Sequence, residues 1–194
     1  TIDYVEDWKL VGLPLQVEDA SYFLIFPESV EGTLYSFDDG YSLETSLIQG
    51  EGYWLRFNEE GSTSISGPPV NELTISLNEG WNLISGISTP INTLDIEDPD
   101  EIIIPGTIYG FTSGGYSSTD NIEPGNGYWI RANNPGYISL IINPDLLPEE
   151  CYLEPDVGPC DGVCPRYFYN QETEECEEFS WGCCEGLVPF DTLE

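Results

Sequence analysis

Apolar and polar residues alternate along much of the first 147 residues. In residues 74–77 (Thr-Ile-Ser-Leu) every second side chain is apolar, which is the period of a half-buried β-strand. Glu79 and Gly80 interrupt the alternation and residues 81–85 resume it, so the pattern predicts a hairpin or a bulge. Clusters of Gly, Pro, Asn and Ser separate further predicted strands over 107–112, 128–132 and 137–142. No useful length of helical periodicity is present, and the predicted fold class is mainly β.

An internal repeat organises these strands. Residues 1–10 align with residues 74–83 at an offset of 73, and GEGYWLRF at 50–57 aligns with GNGYWIRA at 125–132 at an offset of 75. LYSF at 34–37 matches IYGF at 108–111, and small loop insertions explain the drift. The sequence therefore predicts two tandem all-β repeat domains of about 75 residues, 1–68 and 69–147, followed by a small disulfide-rich module at 148–194.

Each copy carries an aromatic motif with one basic residue. Its positions are Trp8, Tyr53, Trp54 and Arg56 in the first copy, and Trp81, Tyr128, Trp129 and Arg131 in the second. Aromatic faces and Arg could form a carbohydrate platform. Alternatively, the glycines make a tight turn, alternate residues enter the core, and Arg stacks on a ring or pairs with a carboxylate. Because the whole motif occurs in both copies, the structural role is favoured. The GWNLIS and GYWI signatures resemble a β repeat of secreted bacterial surface proteins, which implies location more than activity.

The cysteines lie in the last 44 residues. Eight residues separate Cys151 from Cys160, fifteen separate Cys160 from Cys176, and seven separate Cys176 from Cys184. With VGPC, RYFYN and FSWGCC between them, residues 151–194 resemble a Kunitz (pancreatic trypsin inhibitor-like) domain. The resemblance implies that the residue after the second cysteine, here Asp161, is the one offered to the main pocket of a protease.

Asp161 departs from the Lys or Arg that a Kunitz inhibitor of trypsin-like proteases needs at this position. Trypsin-like proteases hold a carboxylate in this pocket and require Lys or Arg, so Asp161 would place two desolvated carboxylates together. Cys164 and Cys183 are two further departures, since an ordinary side chain and a Gly are usual at these places. The sequence predicts a Kunitz-like fold without inhibition of trypsin.

The resemblance also implies disulfide pairing. Cys160 is expected to pair with Cys184, and Cys164 and Cys183, which flank this pair, are expected to form a second bridge beside it. Cys151 and Cys176 would pair in the family with two cysteines nearer the C-terminus. They are therefore predicted to be unpaired, rewired or bonded outside this chain, and the chain is interpreted as a piece of something longer.

Charge excludes several classes of partner. Thirty-six acidic residues against four basic ones give a net charge of −32, which opposes binding to nucleic acid or to an anionic membrane surface. No transmembrane run is present, and cysteines confined to one segment fit an extracellular compartment. The chain has no His and no Ser with a recognisable activating partner, so no enzyme activity is expected.

One acidic segment contains a weak candidate for a metal site. Asp95, Glu97, Asp98 and Asp100 offer the oxygen ligands that Ca²⁺ prefers, but they lack the EF-hand spacing. A solvated acidic loop is favoured, and no cofactor is expected.

The sequence alone thus favours a secreted, non-enzymatic structural or adhesive protein, part of an extracellular fibre or surface assembly. Self-association or other surface proteins are the predicted partners. Two alternatives are a Kunitz-type protease inhibitor of unusual specificity and a carbohydrate-binding surface module.

Overall fold

Strands dominate both parts of the structure, a computed structural model that describes residues 1–112, 114–142, 149–173 and 175–191. The chain divides into two compact units, Thr1–Ile142 and Asn143–Glu194. The predicted mainly β fold class with a disulfide-rich C-terminal module is confirmed. The predicted boundary at 147/148 falls outside the described residues.

The first sequence copy forms six strands and one short helix. They are β1 (Ile2–Tyr4), β2 (Asp7–Val11), α1 (Tyr22–Ile25), β3 (Tyr35–Phe37), β4 (Tyr41–Leu43), β5 (Tyr53–Phe57) and β6 (Gly61–Thr63). A four-stranded antiparallel sheet has the order β2-β5-β3-β4, and β1 pairs with β6. In β5 the alternation is direct: Tyr53, Leu55 and Phe57 are buried while Arg56 is exposed.

The second copy repeats this arrangement with eight strands. They are β7 (Glu72–Leu77), β8 (Gly80–Ser85), β9 (Ile91–Asn92), β10 (Tyr109–Thr112), β11 (Gly115–Ser118), β12 (Asn121–Ile122), β13 (Gly127–Ala132) and β14 (Gly136–Ile141). A short 3₁₀ helix covers Thr93–Asp95. The sheets have the orders β11-β10-β13-β8, β7-β14 and β9-β12.

Equivalent residues of the two copies share one register. Trp8 lies opposite Arg56 and Leu10 opposite Trp54, just as Trp81 lies opposite Arg131 and Leu83 opposite Trp129. One prediction about these strands is wrong. Residues 74–77 and 81–85 do not form a hairpin, because β7 pairs with β14 whereas β8 pairs with β13 in another sheet. Period-2 alternation identifies a strand but not its partner.

The two copies meet along a close backbone contact. The amide of Gly12 donates to the carbonyl oxygen of Gly125 at 3.0 Å, and the equivalent amide of Ser85 donates to that of Gly50 at 3.0 Å. The equivalent positions Gly12 and Ser85 face each other, so that a Cβ on Gly12 would collide with that of Ser85. Two matching positions can face each other in this way only near an axis of approximate twofold symmetry, where one of them must be Gly.

Apolar side chains fill a separate core in each copy and a third cluster between them. The core of the first copy includes Tyr53, Leu55 and Phe57, and the core of the second includes Tyr128 and Ile130. The third cluster buries Leu10, Leu83 and Trp129, with Phe37, Trp54, Tyr109 and Phe111 packed against them. Both copies therefore contribute to the third cluster, whereas each keeps its own core.

The second unit is built on one hairpin. A 3₁₀ helix (Glu149–Tyr152) precedes β15 (Cys164–Asn170), which pairs antiparallel with β16 (Glu175–Trp181). Gly182 is the only buried residue among those described in this unit. So small an apolar interior cannot stabilise a fold by itself, and covalent links compensate for this.

Candidate functional site

The segment from Cys160 to Cys164, here named the stapled loop, is fixed by two disulfides. Cys160 is bonded to Cys184 with their Cα atoms 6.0 Å apart, and Cys164 to Cys183 with their Cα atoms 5.6 Å apart. Cys164 begins β15 and Cys183 follows the end of β16, so the hairpin brings the second pair together. Both ends of the loop are thereby tied to a single Cys-Cys dipeptide.

Cys183 adopts a backbone conformation that usually requires Gly. Its φ is +66°, in the left-handed region where a Cβ is unfavourable. This angle gives a physical reason for the Gly that the Kunitz resemblance places here. In this chain the Cys164–Cys183 bridge holds a side chain at the same position.

Two glycines let the loop lie against the turn that follows β16. A Cβ on Gly162 would lie 2.6 Å from Cys183 Sγ, and one on Gly182 would collide with the carbonyl oxygen of Cys160. The amide of Gly182 also donates to the carbonyl oxygen of Val157 at 2.7 Å. Only residues without side chains fit this approach, which packs the loop tightly on its support.

The stapled loop presents Asp161 to solvent. Asp161 and Gly162 are both exposed, and Val163 is 81 % exposed. An exposed carboxylate therefore lies close to an exposed apolar side chain on one covalently closed segment.

Arg166 supports the base of the hairpin. Its guanidinium carbon lies 5.3 Å from the centre of the Trp181 ring, and its Nε lies 3.1 Å from Oδ1 of Asp191 without the angle of a hydrogen bond. Trp181 Nε1 donates to the carbonyl oxygen of Glu185 at 2.7 Å, which joins the hairpin to the turn carrying Cys184. No pattern in the sequence predicted the ion pair of Arg166 with Asp191, because a contact between distant residues leaves no periodic signal.

The remaining two cysteines lie away from the stapled loop. Cys176 lies on β16 opposite Tyr169, with its side chain exposed, and forms no disulfide within the described residues. Cys151 is half-buried in the 3₁₀ helix. The alternatives that the sequence leaves open for these two cysteines stay predictions.

The repeat motif residues lie in the first unit. The hydroxyl of Tyr53 donates to Glu51 Oε2 at 2.8 Å and accepts from the amide of Ile48 at 3.0 Å. The Tyr128 hydroxyl accepts from the amide of Glu123 at 2.8 Å. Burial is the main cause that raises the pKa of both phenols, because it disfavours their charged form.

The basic residues of the motif differ in their partners. Arg56 forms an ion pair with Asp7, with Nε 3.2 Å from Oδ1. Arg131 instead lies over the ring of Trp81, 5.9 Å from its centre, because Gly80 replaces Asp7 in the second copy. Trp54 is half-buried and Trp129 is buried.

The weak calcium candidate does not assemble. Among the residues that the structure describes, no three carboxylate, cysteine or histidine side chains form a metal-binding group, and Asp95, Glu97 and Asp100 do not gather around Asp98. Both carboxylate oxygens of Asp98 accept backbone hydrogen bonds, from Ile102 at 2.9 Å and from Ile103 at 2.8 Å. Asp98 is thus a local turn-forming residue.

Comparison with known families concerns the second unit. Residues 150–187 match the family described as the Kunitz/Bovine pancreatic trypsin inhibitor domain. These residues form a Kunitz domain. The bridge that the family resemblance implies, Cys160–Cys184, lies within these residues, and so does the second bridge, Cys164–Cys183.

Several curated proteins are similar to this chain. Tissue factor pathway inhibitor of Rattus norvegicus is 37% identical over 91 residues, 45% of this chain and 29% of that protein. Carboxypeptidase inhibitor SmCI of Sabellastarte magnifica is 51% identical over 48 residues, 24% of this chain and 29% of that protein. Kunitz-type anticoagulant protein Ir-CPI of Ixodes ricinus is 46% identical over 39 residues, 20% of this chain and 45% of that protein. The matched regions span less than half the length of these relatives. No solved structure is significantly similar to the chain.

These relatives correct the function predicted from the sequence. The interpretation as a structural or adhesive protein of a fibre or surface assembly is wrong, since the similar proteins are named as inhibitors. Self-association and other surface proteins are likewise wrong as predicted partners, because the relatives point to proteases. The resemblance of the repeats to bacterial surface proteins stays a prediction. Within the described residues, no helix is long and apolar enough to cross a membrane.

Proposed function

We propose that the Kunitz domain inhibits a serine endopeptidase, with Asp161 as the side chain that enters the primary specificity pocket. The observation that carries this proposal is the position of Asp161, exposed and directly after Cys160 inside a loop closed by two disulfides. An inhibitor of this kind acts by occupying the pocket and catalyses nothing itself.

The two bridges hold the loop in one conformation before a peptidase binds it. A flexible loop loses conformational entropy when a peptidase orders it, at about 0.5–1.5 kcal/mol for each immobilised side chain. The stapled loop is ordered before binding, because Cys160 and Cys164 are both tied to the neighbouring residues 183 and 184. This preorganisation favours tight binding and also slows cleavage of the loop by the enzyme.

The carboxylate of Asp161 decides which peptidases are inhibited. A pocket with its own carboxylate, as in trypsin-like enzymes, would enclose two like charges with little water to screen them. A pocket with Arg or Lys would instead form a charge-assisted hydrogen bond with Asp161. The target is therefore an endopeptidase that cleaves after acidic residues.

Charge beyond the loop favours a basic partner. Residues 143–194 contain fourteen acidic residues and one basic residue, Arg166. A field of this sign accelerates encounter with a positively charged enzyme and opposes encounter with an acidic one. The disulfides suit an oxidising compartment, so we place this inhibition outside the cell.

The test is inhibition of two serine endopeptidases with opposite pocket charge by the full chain. We expect inhibition of the enzyme specific for acidic residues and no inhibition of trypsin at micromolar concentration. Asp161→Ala should weaken that inhibition at least about 30-fold, as expected when one partner of a desolvated charge pair is removed. Glu172→Ala is the matched control, because Glu172 is an exposed acidic residue in the turn between β15 and β16. Equal effects of the two substitutions, or inhibition of trypsin by the unmodified chain, would refute the assignment.

A further inference from the structure

The first unit has two aromatic pockets on its surface. The Trp81 pocket, about 420 Å³, is lined by Phe37, Trp81, Tyr109, Tyr116 and Trp129. The Trp8 pocket, about 490 Å³, is lined by Trp8, Tyr35, Tyr41, Trp54 and Phe111. These volumes lie in the range of ligand-binding clefts. All ten lining residues are aromatic.

The repeat generates the two pockets as a pair. Each takes two Trp and two Tyr from its own copy and one Phe from the other copy. In the second copy Trp81 corresponds to Trp8, and the same offsets relate Tyr109 to Tyr35, Tyr116 to Tyr41, Trp129 to Trp54 and Phe111 to Phe37. The Trp pair has the same geometry in both, with ring centres 6.3 Å apart at 89°. Each pocket therefore depends on the association of both copies.

The pockets adjoin along a shared wall. Phe37 of the Trp81 pocket lies 5.3 Å from Tyr41 of the Trp8 pocket, measured between ring centres. Phe111 of the Trp8 pocket lies 5.2 Å from Tyr116 of the Trp81 pocket. A single extended ligand can contact both.

These rings are accessible to a ligand. Trp81 is 43 % exposed, and Tyr41 and Tyr116 are each 57 % exposed. Large aromatic side chains gathered in one exposed patch mark a contact site, because singly exposed apolar side chains are common on protein surfaces but contiguous patches are not.

A buried donor in the Trp81 pocket lacks an acceptor. Trp129 is 8 % exposed, and its Nε1 has no hydrogen-bond partner within the part of the chain that the structure describes. Partial burial raises the pKa of Tyr116 and the nearby Trp129 indole partly offsets this rise, but the two groups do not reach hydrogen-bond geometry. Because this nitrogen is itself enclosed by the protein, Trp129 offers the pocket its ring and not a free donor.

Charge around the pockets favours a cationic ligand. The first unit contains twenty-two acidic and three basic residues in 1–142. Asp38 and Asp39 follow Phe37 directly in the β3–β4 turn, beside the Trp81 pocket. The basic residues are already engaged: Lys9 with the carbonyl oxygen of Asp3, Arg56 with Asp7, and Arg131 over Trp81.

We propose that the two aromatic pockets together bind an extended, proline-rich peptide segment that carries Lys or Arg. Such a segment adopts the polyproline II conformation, an extended helix without internal hydrogen bonds. Its proline rings pack on aromatic faces, and its low conformational entropy limits the cost of binding. A carbohydrate fits less well, because neither pocket is lined by an amide or carboxylate that would bond several hydroxyls.

The test is titration of the full chain with synthetic peptides whose two ends are chemically capped. Tryptophan fluorescence and calorimetry measure the binding. A peptide of three Pro-Pro-Lys units should bind in a saturable manner. A peptide of three Ala-Ala-Lys units, with equal charge but without the polyproline conformation, should bind at least about tenfold more weakly. Equal affinity of the two peptides would show that charge alone causes the binding, and it would overturn the proposal.

Substitutions then locate the site. Trp8→Ala and Trp81→Ala should each weaken binding of the Pro-Pro-Lys peptide, whereas Tyr137→Ala, which removes an exposed ring outside both pockets, should not. If Trp81→Ala unfolds the protein, Trp81→Phe, which retains an aromatic ring, replaces it in the binding test. Replacing Asp38 and Asp39 by Asn should weaken binding and reduce its dependence on salt.

Other ligands provide the opposing outcomes. Titration with neutral oligosaccharides, or with a tetraalkylammonium ion, should give no signal that depends on Trp8 or Trp81. If either binds in that manner and the Pro-Pro-Lys peptide does not, the pockets serve another ligand class. Because Asp161 lies in the other unit, these results do not depend on the inhibition proposed above.

Discussion

Cys164 and Cys183 are joined by a disulfide directly beside the Cys160–Cys184 bridge, with their Cα atoms 5.6 Å apart. Cys183 and Cys184 are adjacent in the sequence, so the stapled loop closes into a small covalent ring that contains Asp161. A Kunitz domain whose bridges lie so close together restricts the motion of its exposed loop at both ends rather than at one.

Removal of the second bridge should loosen this ring. We expect the double variant Cys164→Ala/Cys183→Ala to remain folded through Cys160–Cys184 but to lose about 1–3 kcal/mol of stability. Its stapled loop should be cut faster by an excess of the target peptidase, because a mobile loop samples cleavable conformations more often. Thermal unfolding and timed digestion followed by mass spectrometry measure both effects. Unchanged cleavage would show that the second bridge does not restrain the loop.

The connectivity itself can be read by peptide mapping without reduction. Digestion with an enzyme that cleaves after aromatic residues should release the segment with Cys160 and Cys164 bonded to the segment with Cys183 and Cys184, because Tyr167 and Trp181 separate the two segments. Partial reduction should open one bridge at a time and give Cys164–Cys183 as one of the two pairs. Free thiols at both Cys164 and Cys183 contradict the structure.

The contact between the repeat copies predicts an effect of a single methyl group. A Cβ on Gly52 would collide with the carbonyl oxygen of Ile84 in the other copy, so Gly52→Ala should destabilise the first unit by about 1–3 kcal/mol. Gly40→Ala is the control, since no atom lies within 4 Å of its added Cβ. Chemical denaturation followed by tryptophan fluorescence compares the two. Equal stability of both variants would argue against the close approach.

Buried tyrosines predict sensitivity to alkali. Burial and the bond to Glu51 raise the pKa of Tyr53 in the folded state above the value of about 10 expected when unfolded. The stabilisation is fully present below pH ~10 and is lost as the pH rises toward the folded-state pKa, since the unfolded chain releases the proton first.

The predicted loss of stability with rising pH is tested by measuring the free energy of unfolding between about pH 8 and pH 11.5. This range brackets the ordinary pKa of a phenol. The unmodified chain should lose stability above pH ~10, and Tyr53→Phe should lose less over the same interval. Tyr137→Phe, which removes an exposed phenol, controls for the substitution itself. A pH dependence of Tyr53→Phe as steep as that of the unmodified chain would exclude the proposed role of Tyr53.

Local patterns in the sequence predicted the strands but not what they contact. Alternation at 128–132 identified β13, yet the same kind of pattern at 74–85 suggested a hairpin or a bulge where β7 and β8 belong to different sheets. Pairing between distant segments depends on the whole chain, and no window of residues contains it.

The aromatic pockets show the same limit. Alignment of the two copies paired Trp8 with Trp81 and LYSF with IYGF. Phe37 and Phe111 were therefore recognisable from the sequence as equivalent residues. The sequence could not predict that each Phe lines the pocket of the other copy. This placement depends on the approximate twofold arrangement of the copies around Gly12 and Ser85. In the Kunitz domain, by contrast, the cysteine spacing together with the RYFYN and FSWGCC motifs carried a family resemblance, and this resemblance predicted the loop and the position of Asp161.

A charge swap at Asp161 tests the proposed inhibitor most directly. The inhibition constants of the unmodified chain and of Asp161→Lys should be measured against trypsin and against a serine endopeptidase specific for acidic residues. We predict a reciprocal change: Asp161→Lys inhibits trypsin and loses inhibition of the other enzyme by at least about 30-fold. If the swap leaves both constants unchanged, or if neither protein inhibits either enzyme, Asp161 is not the residue that enters a peptidase pocket.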